Sequence, residues 1–121
     1  MAKILIADDS LMMRKVARMS LEKGGHTVIE AEDGAQAVAM AKSELPQLIL
    51  LDAEMPELDG FEASKAIKAD AATAQIPVLI CTGHDLSDEP DLLKNAGALG
   101  SITKPYNPAQ LLAKVMEVLN G

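Results

Sequence analysis

Leu48-Ile49-Leu50-Leu51-Asp52-Ala53-Glu54-Met55-Pro56 carries a run of four apolar residues that ends abruptly on a carboxylate. Such a run has no polar face, which suits a central parallel strand covered by helices on both sides rather than a half-exposed antiparallel one. Asp52 then stands at the carboxyl end of that strand. Ligands of open parallel sheets bind at this edge, so the chemistry of the chain is expected at or near the Asp52 side chain.

Outward from this strand the same pattern recurs. Lys3-Ile4-Leu5-Ile6-Ala7 is a second buried-strand run and leads directly into Asp8 and Asp9, with Ser10 placed to cap a helix. Val16, Ala17, Ser20 and Leu21 mark the inward face of that helix, and Gly24-Gly25 stops it. Thr27 to Ala31 forms a short strand, and Asp33 caps a helix with Ala35, Val38 and Ala41 on one side, ended by Pro46. Beyond Asp52, Met55 to Gly60 carries turn chemistry, and Phe61, Ser64 and Ile67 predict a helix of about ten residues. Pro77 to Cys81 is the next strand, ending on Thr82-Gly83. A helix over Glu89–Ala96 with Gly97 as cap follows, then a strand over Leu99–Thr103 ending at Lys104-Pro105. Asn107 as N-cap and Pro108 at the first helical position open a last helix striped by Leu111, Leu112, Val115, Met116 and Leu119.

Strand and helix thus alternate five times, at intervals of roughly 20 to 25 residues, which requires right-handed crossovers and a parallel sheet. The expected fold is a flavodoxin-like α/β sandwich: a five-stranded parallel sheet in the order 2-1-3-4-5, doubly wound with five helices. That order makes the first and third strands neighbours at the topological switch point. Asp8, Asp9 and Asp52 therefore converge, and Thr82 and Lys104 reach the same rim from the fourth and fifth strands.

Composition narrows the function. The 121 residues, 49% hydrophobic and 24% charged, fit one globular domain spanning 1–121 with one core. One Phe, one Tyr and no Trp leave little for stacking on bases, and 18 acidic against 11 basic side chains give a net charge of -7. That charge repels a phosphate backbone, so direct nucleic-acid binding is not expected. Cys81, the single cysteine, has no internal disulfide partner and sits in an apolar run as a small buried hydrophobe. No apolar run approaches the roughly 18 residues of a membrane span, and no signal peptide is recognisable, so no membrane insertion and a cytoplasmic location are expected.

Three carboxylates in one place repel, each close pair by about 4 kcal/mol at roughly 4 Å and an effective dielectric of about 20. Lys104 supplies one positive charge. The remainder either raises a carboxylate pKa or recruits a hard divalent cation, for which Mg2+ is the natural candidate. Aspartate also serves as a covalent nucleophile. The Thr82 hydroxyl, the Lys104 ammonium and the backbone N–H groups of Ala53 and Gly83 are expected to surround a phosphoryl group on Asp52.

Taken together, Asp8-Asp9, Asp52, Met55-Pro56, Asp59-Gly60, Thr82 and Lys104-Pro105 make the whole chain resemble the receiver domain of two-component response regulators, most closely the stand-alone chemotaxis-regulator-like kind. The resemblance implies that Asp52 is the phosphoacceptor and that Asp9 and Asp52 ligate Mg2+ with the Glu54 main-chain carbonyl, Asp8 helping mainly through water. It implies that Lys104 and Thr82 hold phosphoryl oxygens and that the Lys104–Pro105 bond is cis. The phosphoryl group would come from a histidine kinase or phosphotransfer protein, and self-catalysed transfer and slow autodephosphorylation would be the only chemistry. Output would pass by protein contact, through the fourth helix, fifth strand and fifth helix, to a target the sequence does not name.

In that family Thr82 works with an aromatic three residues before the lysine, a position held here by Ser101, and Tyr106 is not placed to replace it. Glu54 would border the phosphoryl group and tune its hydrolysis, and His84 lies near the same rim. Arg14 reads as a surface charge, Met12 and Met13 as adaptable packing near the site mouth, and His26 as a structural turn residue. Two other functions share the strand order. A flavodoxin-type FMN binder needs a hydroxyl- and glycine-rich phosphate loop where Asp8-Asp9 stands, and an aspartate-nucleophile phosphatase needs a second acid of which Glu54 is a poor imitation.

Overall fold

The computed structural model describes residues 2–83, 86 and 89–120. Its elements follow in strict alternation: β1 (Lys3–Ala7), α1 (Leu11–Lys23), β2 (Thr27–Ala31), α2 (Gly34–Glu44), β3 (Leu48–Asp52), α3 (Gly60–Ala69), β4 (Val78–Thr82), α4 (Pro90–Ala96), β5 (Gly100–Thr103) and α5 (Pro108–Asn120). The five strands form one parallel sheet in the order β2-β1-β3-β4-β5. This is the architecture expected from the alternation.

β3 lies at the centre, and all five of its residues are buried. Its uninterrupted apolar run has a direct cause. Side chains alternate across a strand, and here both faces are covered. Leu48 and Leu50 pack with Ile4, Ile6, Leu79 and Cys81 against Leu21 of α1 and Leu111 and Val115 of α5. Ile49 and Leu51 pack with Leu5 and Ile80 against Ala37 and Ala41 of α2 and Ala63 and Ile67 of α3.

Local capping sets where the helices begin. Ser10 accepts from the Met13 amide, Asp33 from Gln36, and Asn107 from Gln110. Asp59 and Glu62 form a reciprocal capping box on α3. Hydroxyls then tie helices together across each face: Ser20 Oγ donates to the Pro108 carbonyl and Ser64 Oγ to the Ala96 carbonyl, each at 2.7 Å.

Three helix faces differ from the expected ones. In α1 the buried residues are Arg14, Ala17, Ser20 and Leu21, with Val16 only half-buried. In α2 the inward residues are Gly34, Ala37 and Ala41 while Ala35 is exposed, because the start of the helix presses against the loop after β3 and only a glycine fits there. In α5 Met116 points to solvent, and Leu111 and Val115 carry the burial. Leu99 precedes β5 and is exposed. The Lys104–Pro105 bond is cis, as the resemblance implies.

Candidate functional site

The sheet order brings the carboxyl ends of β1 and β3 side by side, with Ala7 paired to Leu51. Asp8 and Asp9 leave β1 in the turn before α1, and Asp52 ends β3. One carboxylate oxygen from each of the three lies within 4.8 Å of the others. The expected convergence of acids is therefore present, and Lys104 and Thr82 close the rim. Lys104 Nζ stands 3.0 Å from Asp52 Oδ1 and 3.1 Å from Asp8 Oδ2. Thr82 is buried at the end of β4. An open cleft of about 500 Å³ lies over these groups, bordered by Asp9, Asp52, Glu54, Thr82, Gly83 and Lys104.

Asp8 is held at every polar atom. Its amide donates to the Ala31 carbonyl at 3.2 Å, Oδ1 accepts from the Ser10 amide at 2.9 Å, and Oδ2 accepts from Lys104. Asp9, one residue on, is exposed to the cleft. Burial raises the Asp52 pKa above its ordinary value and the neighbouring Asp8 charge raises it further, while the Lys104 hydrogen bond only partly opposes this. Lys104 shows the converse balance. Burial would lower its pKa, but hydrogen bonds to both carboxylates outweigh that and leave it raised.

One expected phosphoryl-binding donor is committed elsewhere. The Ala53 amide donates to the Cys81 carbonyl at 2.8 Å, the bond that closes the last parallel pair, Asp52 with Cys81. The amide that meets the Asp52 carboxylate is that of Glu54. Glu54 stands in the bend that follows β3, where the backbone has left the ladder. Gly83 is exposed at the rim with open space around its Cα, and the Glu54 side chain is exposed on the opposite lip. His84 lies outside the described residues.

Ser101 pairs with Ile80 and so shares its face of the sheet, toward α3 and α4. Tyr106 packs instead with Cys81 and Ile102 on the α1–α5 face. Tyr106 and Ser101 thus pack on opposite faces of β5, the edge strand, and meet only along the groove at that edge. Burial pushes the Tyr106 phenol well above its ordinary pKa. His26 Nδ1 accepts from the Ala2 amide at 3.2 Å.

Arg14 overturns its assignment as a surface charge. It is 7% exposed, and Nη1 donates to the Asp8 carbonyl at 2.6 Å. The signal for this in the sequence was spacing: Arg14 lies three residues before the buried Ala17 and seven before the buried Leu21, on the inward stripe of α1.

A doubly wound sheet with an acidic triad at its switch point, a lysine before a cis-proline and a hydroxyl on the adjacent strand end defines a class. The response regulator receiver domain family matches residues 4–116, and the chain belongs to it. Receiver domains are phosphoacceptor signalling switches, and this chain is one; family membership sets aside the flavin-binding and phosphatase alternatives. Among its relatives is protein PilH of Pseudomonas aeruginosa, 43% identical over 122 residues and covered, like this chain, at 100%. The chemotaxis response regulator CheY4 of Vibrio cholerae superposes with a TM-score of 0.94 at 34% identity, covering 98% of this chain and 99% of that one. The receiver domain of sensor histidine kinase PA1611 from P. aeruginosa, with a magnesium ion coordinated in its active-site cleft, superposes with a TM-score of 0.90 at 27% identity, covering 99% and 98%.

Proposed function

We propose that Asp52 is the phosphoacceptor and that Asp9 and Asp52, with the Glu54 main-chain carbonyl, hold Mg2+ beside it. The observation that carries this reading is the meeting of three carboxylates within 4.8 Å around a single ammonium group. The donor set is all oxygen and carries excess negative charge, which fits a hard cation that retains waters and binds phosphoryl oxygens. Asp8 Oδ1 and Oδ2 are already engaged by the Ser10 amide and Lys104, which suits a role through water. When bound, the cation supplies positive charge to the oxygens of the group being transferred.

The residues divide the remaining work. Asp52, ionised, attacks phosphorus through a carboxylate oxygen; the donor's bond to phosphorus breaks, and its electron pair leaves with the donor. Lys104, bonded to Asp52 in this state, exchanges that contact for a phosphoryl oxygen. The Thr82 hydroxyl and the amides of Gly83 and Glu54 complete the donors around the new group. Glu54 at the lip opposes an incoming anionic donor and tunes the later attack of water. The phosphoryl group comes from a histidine kinase or phosphotransfer protein, and the altered surface is read by a protein target. Ser101 offers no ring to follow Thr82, so switching rests on the Thr82 hydroxyl. Among the described residues no helix is long and apolar enough to cross a membrane.

Intact-mass measurement after incubation with MgCl2 and a small acyl phosphate tests the reading. One added phosphoryl group is expected on the native chain and none on Asp52→Asn. Equal labelling of both, or none on the native chain with several donors, would overturn it.

A further inference from the structure

We propose that Arg14 is a positioning residue for the acidic turn, setting the affinity of Asp9 and Asp52 for a divalent cation. The inference rests on the Mg2+ reading above. Its ground is the peptide that joins Asp8 to Asp9. The oxygen of that peptide accepts from Arg14 Nη1 at 2.6 Å in a buried contact, while the Asp8 amide on the preceding peptide is tied to Ala31. Fixing a peptide plane at its oxygen fixes where the next Cα stands and the N–Cα bond that reaches it, so that one backbone rotation is left to aim the next side chain. That next residue is Asp9, whose carboxylate is exposed to the cleft.

The guanidinium is itself held. Nε donates to Glu30 Oε1 at 3.0 Å, and Nη2 lies 3.9 Å from Glu32. Glu30 in turn binds Arg18, whose Nε donates to Glu22 at 3.2 Å. A planar fork used on a carboxylate and a carbonyl at once cannot rotate, which is the geometry arginine provides and lysine does not. Stability alone does not require this choice. A buried charge is a poor stabiliser compared with an apolar side chain of similar volume, yet here it occupies the inward stripe of α1, where Ala17 and Leu21 are fully buried.

Charge and position act in opposite directions, which makes the proposal testable. A guanidinium next to a cation site repels the cation, so removing its charge alone would tighten binding. Losing the anchor would loosen it. Calorimetric titration of MgCl2 into the full chain, with a thermal melt of each protein, separates the two. Arg14→Met is expected to weaken Mg2+ binding on the order of 10- to 100-fold, the usual effect of losing a group that orients a ligand. Arg14→Lys, able to reach the carbonyl with one donor only, should fall between. Ser20→Ala loses the part-buried α1–α5 hydrogen bond to the Pro108 carbonyl, contacts none of the acids through it, and serves as a destabilised control with native affinity. If Arg14→Met does not fold, Arg14→Lys and Glu30→Gln carry the test. Folded Arg14 variants with native or tighter Mg2+ affinity would overturn the positioning role, as would loss of affinity in Ser20→Ala to the same degree. A native chain that takes up no Mg2+ would instead overturn the metal reading and this inference with it.

Discussion

A Cβ placed on Gly60 would stand 2.4 Å from the main-chain oxygen of Asp52. The first residue of α3 thus lies against the backbone of the proposed phosphoacceptor, and its amide donates to the Ala53 carbonyl at 3.0 Å. A second glycine presses on the same loop from α2, where a Cβ on Gly34 would come 2.1 Å from the Leu58 carbonyl oxygen. The seven-residue connection from Ala53 to Asp59 is clamped between two helix starts, each lacking a side chain at the point of contact.

Gly60→Ala is expected to cost about 1–3 kcal/mol, since backbone oxygen cannot yield as a flexible side chain would. It should also slow phosphorylation by displacing Asp52. Gly83→Ala, with nothing within 4 Å of its added carbon, is the contrast and should stay within about 0.5 kcal/mol. Urea unfolding of both variants checks this, and equal stabilities would refute the clamp.

Leu45 adopts φ 47 at the end of α2 while its side chain is 56% exposed. A left-handed residue at this position suits glycine, and little packing is lost by removing the leucine. Leu45→Gly is therefore expected to gain roughly 0.5–1 kcal/mol, read as a higher urea midpoint at unchanged slope.

The strands were legible because their apolar runs are short, bounded by turn residues and terminated by chemistry-bearing side chains. Asp8, Asp52, Thr82 and Lys104 needed only the strand order to become neighbours. What escaped were features set by close packing. The α2 face shifted from Ala35 to Ala37 because Gly34 must meet Leu58, a contact far away in sequence. The burial of Arg14 is not legible because a charged side chain is ordinarily solvated, and its partners, the half-buried Glu30 and the Asp8 carbonyl, lie on other elements. The Ala53 amide is engaged because the Asp52–Cys81 pair of the parallel ladder takes its hydrogen bond from the residue after Asp52.

Cys81 is buried beneath Asp52, its partner in register, and burial pushes its thiol up to about 12. At about pH 8 the reactive thiolate is therefore scarce and shielded. Iodoacetamide is expected to leave the native chain unmodified by intact mass and to label it once urea unfolds it. Prompt stoichiometric labelling without denaturant would contradict the burial of the β4 end.

The Asp52 pKa gives a pH dependence whose sign follows from linkage. Burial, then the Asp8 charge, raise it from the ordinary 3.8, with Lys104 only partly compensating. The native carboxyl thus binds its proton more tightly than the unfolded one. Stability associated with that proton is fully present below about 3.8 and is lost as pH rises through the raised native value. Asp52→Asn has no such proton to lose, and its amide oxygen can still accept from Lys104. In EDTA the variant should therefore exceed the native chain in melting temperature at neutral pH, with the gap closing as pH falls toward the unfolded value. Added MgCl2 should reverse the order, because a cation that binds only the native carboxylates stabilises by mass action, about 2.7 kcal/mol at a hundredfold excess over Kd. Melts across pH with and without Mg2+ decide the point. A variant less stable than the native chain in EDTA at neutral pH would show that the Lys104 pairing outweighs the burial of Asp52.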